Sequence, residues 1–343
     1  MAILKVDTVS GIGTEGTVFE GDITFDSLNY MTLPKGNTTD AFPAFKGVPA
    51  ASARGIFGGS RDSPAIAKNN IDYITIATTG NASDFGDLTT ALREFSACAS
   101  PTRGVTGGGF VTPGVVTNVM QYVTIQTTGN SQDFGDLITA KRGTGSASSS
   151  TRGLFAGGYA PSNVDTIEFI SIQSMGTIND FGNLTDTFRY HDGMNSTTRA
   201  IFAGGGAPAN SGTNKIDYVT IATTSNATDF GDLLTAGIYA TANFSNSTRG
   251  IIGSIGATNT IEFITMATTG NAQNFGDTLA AGDLKQGTCS STRGIIAGGR
   301  YPSQSNVIQY ITIATTGNAT DFGDLTFTQD SGVAFSNGHG GLG

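Results

Sequence analysis

Hydrophobic and polar residues alternate along short segments of this chain, and similar segments return at a nearly constant interval. A clear example is Val307-Ile-Gln-Tyr310-Ile-Thr-Ile313-Ala, a run rich in β-branched and aromatic residues with a two-residue period. Such alternation predicts a half-buried β-strand. The 3.6-residue period of an amphipathic helix does not recur in the sequence. The pattern therefore predicts a chain of short strands joined by turns.

One repeat contains four predicted strands. Residues 291–299 form a short apolar strand that begins Ser-Thr-Arg-Gly and ends in a glycine pair, which we name the Arg-Gly strand. After a variable loop comes the aromatic strand, residues 307–314. The turn Thr-Thr-Gly-Asn at 315–318 supplies the left-handed conformers of a tight hairpin and leads into the motif strand, which starts at Asp-Phe-Gly-Asp-Leu. The fourth is a Ser-rich strand before each Arg-Gly, as in residues 145–151.

The string Asp-Phe-Gly-Asp-Leu, or a close variant, occurs six times, with steps of 49, 47, 49, 45 and 47 residues between its phenylalanines. These phenylalanines are Phe85, Phe134, Phe181, Phe230, Phe275 and Phe322. A period of roughly 40–50 residues with four strands per period is typical of a β-propeller. We therefore predict an all-β fold, a six-bladed kelch-like propeller with about 47–49 residues per blade. A seven-bladed ring with one defective blade is the alternative.

The ends of the repeat region predict how the ring closes. The Ser-rich strand has seven candidate copies, whereas the other strands have six. Either residues 47–53 or residues 332–336 would complete a terminal blade and remove the open edges that favour aggregation. Residues 1–45 do not fit the repeat and predict an extended N-terminal arm, which leaves residues 46–343 for the propeller.

Two sets of residues recur with the blades. The motif phenylalanines and an aromatic residue in each aromatic strand predict apolar layers between blades. Each blade also has an arginine, which we interpret as part of a structural Arg–Asp pair or turn cap. Rings of anion-binding arginines or calcium-binding carboxylates are the alternatives, although the motif lacks the alternating ligands of a calcium loop. The arginines are Arg54, Arg103, Arg152, Arg199, Arg249 and Arg293.

Composition narrows the functional classes. The net charge is −9, without a run of Lys and Arg, which argues against a nucleic-acid partner. No apolar stretch has the length of a membrane-spanning helix, and Cys98 and Cys289 are expected to be small buried side chains. The two histidines, His191 in a loop and His339 near the last residue, have no repeated partners. We therefore expect no catalytic residue, no cofactor and no metal, hence a protein that is not an enzyme.

Two parts of the sequence resemble known families. The glycine pair, the following aromatic strand and the period are similar to kelch-type and galactose-oxidase-like propellers over about residues 46–343, although the kelch tryptophan is missing. Residues 4–36, including Leu-Lys-Val-Asp-Thr-Val-Ser-Gly and Phe-Glu-Gly-Asp-Ile-Thr-Phe, resemble the N-terminal segment of virion proteins from tailed phages of marine cyanobacteria. Repeats reading Ile-Ala-Thr-Thr-Gly-Asn-Ala-x-Asp-Phe-Gly-Asp-Leu are also similar to repeats in such proteins.

The resemblance implies a phage structural protein, in a tail fibre, baseplate or capsid-attached appendage. We expect synthesis in the host cytoplasm, location in the virion, docking to other virion proteins through residues 1–45, and several copies per particle. The variable loops between Arg-Gly and aromatic strands are the expected contact surface, at residues 60–69, 110–116, 159–164, 206–214 and 300–306. The alternative is a carbohydrate-binding module for host surface polysaccharide. A lyase or hydrolase acting on such polysaccharide is a third hypothesis.

Overall fold

The computed structural model describes residues 53–62, 66–176, 178–300 and 302–342. Their regular secondary structure is β-strand apart from two short 3-10 helices, Pro208–Asn210 and Gly340–Leu342. The predicted arm at residues 1–45 and the domain boundary at residue 46 lie outside the described residues.

Six four-stranded antiparallel sheets follow one another along the described chain. Their Ser-rich strands contact one another in a closed circle, so each sheet is one blade of a ring. From the centre outward the order is Ser-rich strand, Arg-Gly strand, aromatic strand and motif strand. The predicted six-bladed β-propeller is confirmed.

The blades are numbered along the chain, and the strands of each blade run in order from the centre outward. Blade 1 has Val333–Ser336, Arg54–Asp62, Ile66–Thr75 and Ser83–Leu92; blade 2 has Ser96–Ala99, Arg103–Gly107, Val119–Thr124 and Gln132–Asp136; blade 3 has Gly145–Ser148, Arg152–Ala156, Val164–Ser171 and Ile178–Phe188. Blade 4 has Asp192–Asn195, Arg199–Ala203, Thr213–Thr220 and Thr228–Gly237; blade 5 has Ala240–Ser245, Arg249–Ile255, Thr260–Thr265 and Gln273–Asp277; blade 6 has Gln286–Cys289, Arg293–Ala297, Ser305–Thr312 and Thr320–Gln329. A small hairpin, Phe110–Val111 with Val115–Val116, lies in the variable loop of blade 2.

The ring closes through blade 1, which combines strands from distant parts of the sequence. Val333–Ser336 pairs antiparallel with Arg54–Asp62, with Ser336 opposite Gly55. The backbone N–H of Arg54 also donates to Asn337 Oδ1 at 2.8 Å. Of the two predicted closing segments, the C-terminal one therefore supplies the Ser-rich strand.

The hydrophobic core is divided among the six interfaces between neighbouring blades. In the first interface, Phe85 and Leu88 of blade 1 pack with Val123 and Ile125 of blade 2. All six motif phenylalanines are at most 3% exposed. Each meets the aromatic residue of its own blade edge-to-face, with ring centroids 5.8–6.2 Å apart. The predicted aromatic layers between blades are confirmed.

The glycine of the motif lets one blade approach the next. Gly86 has φ +145°, and a Cβ at this position would lie 2.6 Å from the carbonyl carbon and oxygen of Gly129 in blade 2. Gly129 itself donates its N–H to the carbonyl oxygen of Phe85 at 2.8 Å. A side chain at the motif glycine would therefore separate the turn of one blade from the motif strand of its neighbour.

Candidate functional site: the variable face

The six repeat arginines join neighbouring blades. Each guanidinium lies over the aromatic ring of its own blade, 4.4–4.8 Å from the ring centroid. Its Nη1 donates at 2.8–3.1 Å to backbone carbonyl oxygens just beyond the aromatic strand of the next blade. The structural interpretation of these arginines fits this geometry. The expected aspartate partner is wrong, because the acceptors are main-chain oxygens of the neighbouring blade.

The turn caps expected from the motif aspartates are formed by asparagine side chains instead. Asn130 of blade 2 accepts the backbone N–H of Asp87 in blade 1 through its Oδ1 at 3.0 Å, and four other blade pairs repeat this contact. The capping group is therefore the asparagine of the Thr-Thr-Gly-Asn turn, since it reaches across the interface. The first residue of each motif, which is aspartate in five blades and Asn274 in blade 5, is exposed.

The two ends of the blades differ in sequence character. Because the strands form antiparallel meanders, the variable loops and the connections from each motif strand to the next blade emerge at the same end. Isolated bridges join them directly, as between Arg93 and Phe110 or Arg142 and Tyr159. We name this end the variable face. The opposite end carries the Thr-Arg-Gly and Thr-Thr-Gly-Asn turns and is named the repeat face.

One position of each connection divides the variable face by charge. It lies eight residues after the motif phenylalanine, and in blade order it is occupied by Arg93, Arg142, Arg189, Ile238, Asp283 and Asp330. Three neighbouring connections thus carry arginine, and two on the other side carry aspartate. A search for one recurring residue type does not find these six residues, because the residue type changes from blade to blade. Their fixed distance from the motif phenylalanine is the signal that identifies them.

The arginines of the cationic side alternate with aromatic rings. Phe110 has the guanidinium carbons of Arg93 and Arg142 at 4.4 and 5.1 Å from its centroid. Tyr159 has those of Arg142 and Arg189 at 5.2 and 5.0 Å. Guanidinium groups are attracted to ring faces, and stacking holds them in place. We name these five residues the arginine arc.

Glu94 is the acidic residue bound to the arc. Arg93 Nη1 donates to its Oε1 at 2.6 Å, while Arg142 Nη1 and the Tyr190 hydroxyl bind its Oε2, the latter at 2.9 Å. Burial, together with the neighbouring carboxylate of Glu94, raises the pKa of Tyr190, so its phenol stays protonated and donates. One carboxylate is shared by two arginines, and the arc keeps a net positive charge.

A groove lies at the end of the arc, between the variable loops of blades 3 and 4. Its volume is about 430 Å³, within the range of small-ligand sites. Arg189 lies in it and binds Asn210 through Nη2, and Asn163 donates its amide to the carbonyl oxygen of Gly206 at 3.0 Å. Ser162 and Thr187 add hydroxyl groups. The lining thus combines one cation with several neutral hydrogen-bonding groups.

The acidic side of the variable face is paired internally. Arg61 binds Asp330 through two contacts, Nε to Oδ1 at 2.9 Å and Nη2 to Oδ2 at 3.0 Å. Arg300 lies 3.7 Å from Asp283. Because each arginine here faces its own carboxylate, this half of the face is close to neutral.

The central channel is narrow. At the variable face, backbone hydrogen bonds join the connections in a partial ring, with Glu94 N–H to Ser331 O at 2.8 Å and Gly143 N–H to Glu94 O at 2.7 Å. Two neighbouring cavities inside have volumes of about 60 and 50 Å³, well below the roughly 300 Å³ of a typical ligand pocket. They have room for a few water molecules. A sugar ring is too large for them.

The C-terminal residues fill the channel near the repeat face. The His339 ring binds Ala99 O through Nε2 at 2.9 Å and Asn195 Nδ2 through Nδ1 at 2.8 Å. This pairing requires a proton on Nε2 and a free Nδ1, hence a neutral ring. Burial lowers the pKa of His339 to about 4. His339 therefore acts as a neutral structural bridge between blades 2 and 4.

Two further titratable groups of the channel wall are Asp192 and His191. Burial raises the pKa of Asp192 to about 7, while its carboxylate accepts the N–H groups of Gly193 and Asn243. Burial lowers the pKa of His191 to about 3, and its ring packs edge-on against Phe188 and Phe202. His191 lies in a loop between two strands, as expected, but its ring is buried.

Both cysteines are buried free thiols, as the sequence predicts. Across the described ranges, no three His, Cys, Asp or Glu side chains are arranged to hold a metal ion. The part of the chain described by the structure also contains no helix long and apolar enough to cross a membrane.

No protein-family model matches this chain, and the search of curated proteins found no match. The six-bladed propeller and the geometry of its variable face are therefore the basis for a functional proposal.

Proposed function

We propose that this chain is a virion structural protein, similar to those of tailed cyanobacterial phages, whose propeller is a binding platform. Residues 1–45 would dock to the particle in a tail fibre, baseplate or capsid-attached appendage. The variable face would then contact a protein or the host surface. The resemblance of residues 4–36 and of the repeats to such virion proteins supports the assignment.

One observation carries the binding role: the residues that differ between blades meet at one end of the ring. The repeat face is built from turns that recur in most blades, and these turns hold the blades together. The variable face instead combines the arginine arc, the groove and the paired acidic side. Binding residues are often found on loops that a rigid scaffold positions. The separation of structural turns on one face from variable loops on the other therefore favours a binding role for the variable face.

We also propose that the platform is not an enzyme. Asp192, a carboxyl group whose pKa burial raises to about 7, is bound by two backbone amides and lies beside small internal cavities. A catalytic acid or base must reach the proton that it transfers. The position of Asp192 favours a structural role.

Carbohydrate recognition is the second candidate function, and the groove between blades 3 and 4 favours it. Its amide and hydroxyl side chains are suited to sugar hydroxyl groups, and its volume suits a small ligand. Host polysaccharide would then be the partner of the variable face.

The virion assignment is tested by removing residues 1–45 in a phage that encodes the chain. We expect the shortened protein to remain folded but to be absent from purified particles, as measured by mass spectrometry. Full-length protein expressed in the same way is the control. Equal incorporation of both proteins would refute the anchoring role, and absence of the full-length protein from particles would refute the virion assignment itself.

A further inference from the structure

We infer that the arginine arc and the adjoining groove bind an acidic polysaccharide, whose carboxylate is held by Arg189. This inference rests on the proposed recognition function of the variable face and specifies its ligand. The arc and groove form one continuous surface across blades 2 to 4, because Arg189 belongs to both.

Charge is the first argument. The whole protein has a net charge of −9, yet three arginines gather on adjacent connections with one carboxylate bound among them. On the other side of the same face, Arg61 and Arg300 each face an aspartate. The arc therefore has a net positive charge, and this charge favours anionic ligands at the adjoining groove.

Preorganisation is the second argument. The guanidinium of Arg189 stacks on Tyr159 and Tyr190, at 5.0 and 5.3 Å from their centroids, and it is held by Asn210. A guanidinium fixed in this way loses little conformational freedom when a ligand binds. Planar guanidinium groups also match carboxylates through paired hydrogen bonds.

The groove chemistry indicates a sugar. Beside Arg189, the lining offers the amides of Asn163 and Asn210 and the hydroxyls of Ser162 and Thr187. Such neutral donors and acceptors complement sugar hydroxyl groups, whereas a purely ionic site would use further cations. The lining therefore favours a ligand that combines sparse acidic groups with many hydroxyl groups.

The total charge also argues for a sparsely charged ligand. A densely charged polyanion would extend beyond the arc onto a protein that is acidic as a whole, where repulsion opposes binding. The groove has one arginine among neutral polar groups. A polysaccharide with one acid group per disaccharide matches this arrangement. Hyaluronate has this charge density and is a suitable probe.

The experiment measures binding of the full-length protein to hyaluronate, neutral dextran and inorganic polyphosphate by isothermal titration calorimetry at low and moderate salt. We expect saturable binding to hyaluronate and weaker binding to dextran and polyphosphate. R189Q should weaken hyaluronate binding about tenfold or more, as expected for loss of a charge-assisted hydrogen bond. N210A, which keeps the charge but removes the support of Arg189, should weaken it less.

R300Q is the matched control, since Arg300 lies on the same face, 3.7 Å from Asp283 and outside the groove. It should change affinity less than twofold, and thermal melting must show that all variants are folded. Equal affinity of wild type and R189Q, equal losses in R189Q and R300Q, or preference for dextran or polyphosphate would overturn the inference. Absence of hyaluronate binding together with arm-dependent incorporation into particles would overturn it while leaving the virion function intact.

Discussion

Arg293 of blade 6 donates its Nη1 to the carbonyl oxygen of Ile76 in blade 1 at 2.9 Å. The same nitrogen reaches Ala77 O at 3.0 Å, and the guanidinium stacks on Tyr310 of its own blade. One side chain therefore connects the last blade to the first. The five other repeat arginines make the equivalent connection between consecutive blades.

Replacement of this arginine should weaken ring closure. R293M keeps an aliphatic side chain but removes the charged donors, and we expect it to lower the free energy of unfolding by about 2–3 kcal/mol, the sum of a charged hydrogen bond and a cation–π contact. Urea unfolding followed by circular dichroism measures this loss. R300Q on the variable face is the control and should cost under about 1 kcal/mol, as for a surface ion pair. Equal stability of R293M and wild type would contradict the role of the arginine.

The motif phenylalanines should contribute much more than exposed apolar residues of the same strand. F230A removes a ring that is 2% exposed, and we expect a loss of about 3–5 kcal/mol; F134A should behave alike. L234A, at a residue that is 58% exposed in the same strand as Phe230, should cost under about 1 kcal/mol. An unchanged melting temperature in F230A or F134A would show that the rings are not core residues.

The bridge formed by His339 predicts acid sensitivity. Its pKa is about 4 in the folded protein and 6.5 in the unfolded chain, so between these values only the unfolded chain binds the proton. Stability from this residue is present above pH 6.5 and falls as the pH drops toward 4, by at most about 1.4 kcal/mol per pH unit. The stability of wild type relative to H339Q should therefore fall with acid over this range. Parallel pH profiles of the two proteins would exclude the effect.

Asp192 predicts the opposite slope. Burial raises its pKa from 3.8 to about 7, so between these values the folded protein binds more protons than the unfolded chain. Its contribution to stability therefore falls as the pH rises from about 4 to about 7, again by at most about 1.4 kcal/mol per unit. The stability of wild type relative to D192N, measured by urea titration at several pH values, should decrease in this direction. A difference that is constant with pH would mean that the carboxyl group titrates normally.

The sequence was sufficient to predict the frame of the molecule, because each blade repeats the same strand pattern. Phe85 and its five equivalents predict the number of blades. They are buried because the motif strand packs against the neighbouring blade. For the strand that closes the ring, the sequence leaves two candidate segments. Residues 47–53 and 332–336 have similar patterns, and the choice depends on which one pairs with Arg54–Asp62.

The contacts of the repeat arginines could not be read from residue types. The acceptors are main-chain carbonyl oxygens, such as that of Ile76, and every residue type has one, so the sequence does not identify them. The motif aspartates suggest themselves as partners of the arginines, but the fold does not use them. The arginine arc was missed for a related reason. Arg93, Arg142 and Arg189 occupy equivalent positions, but the other three blades carry different residues there, and only the ring brings the three arginines side by side.

The closure of blade 1 by Val333–Ser336 also sets an order of folding events during synthesis. Until these four residues leave the ribosome, Arg54–Asp62 has no inner neighbour, and its hydrogen-bonding edge is open to other chains. Nearly the whole propeller must therefore be translated before the ring can be complete. Slow translation late in the chain would prolong this exposed state and favour aggregation of the nascent protein.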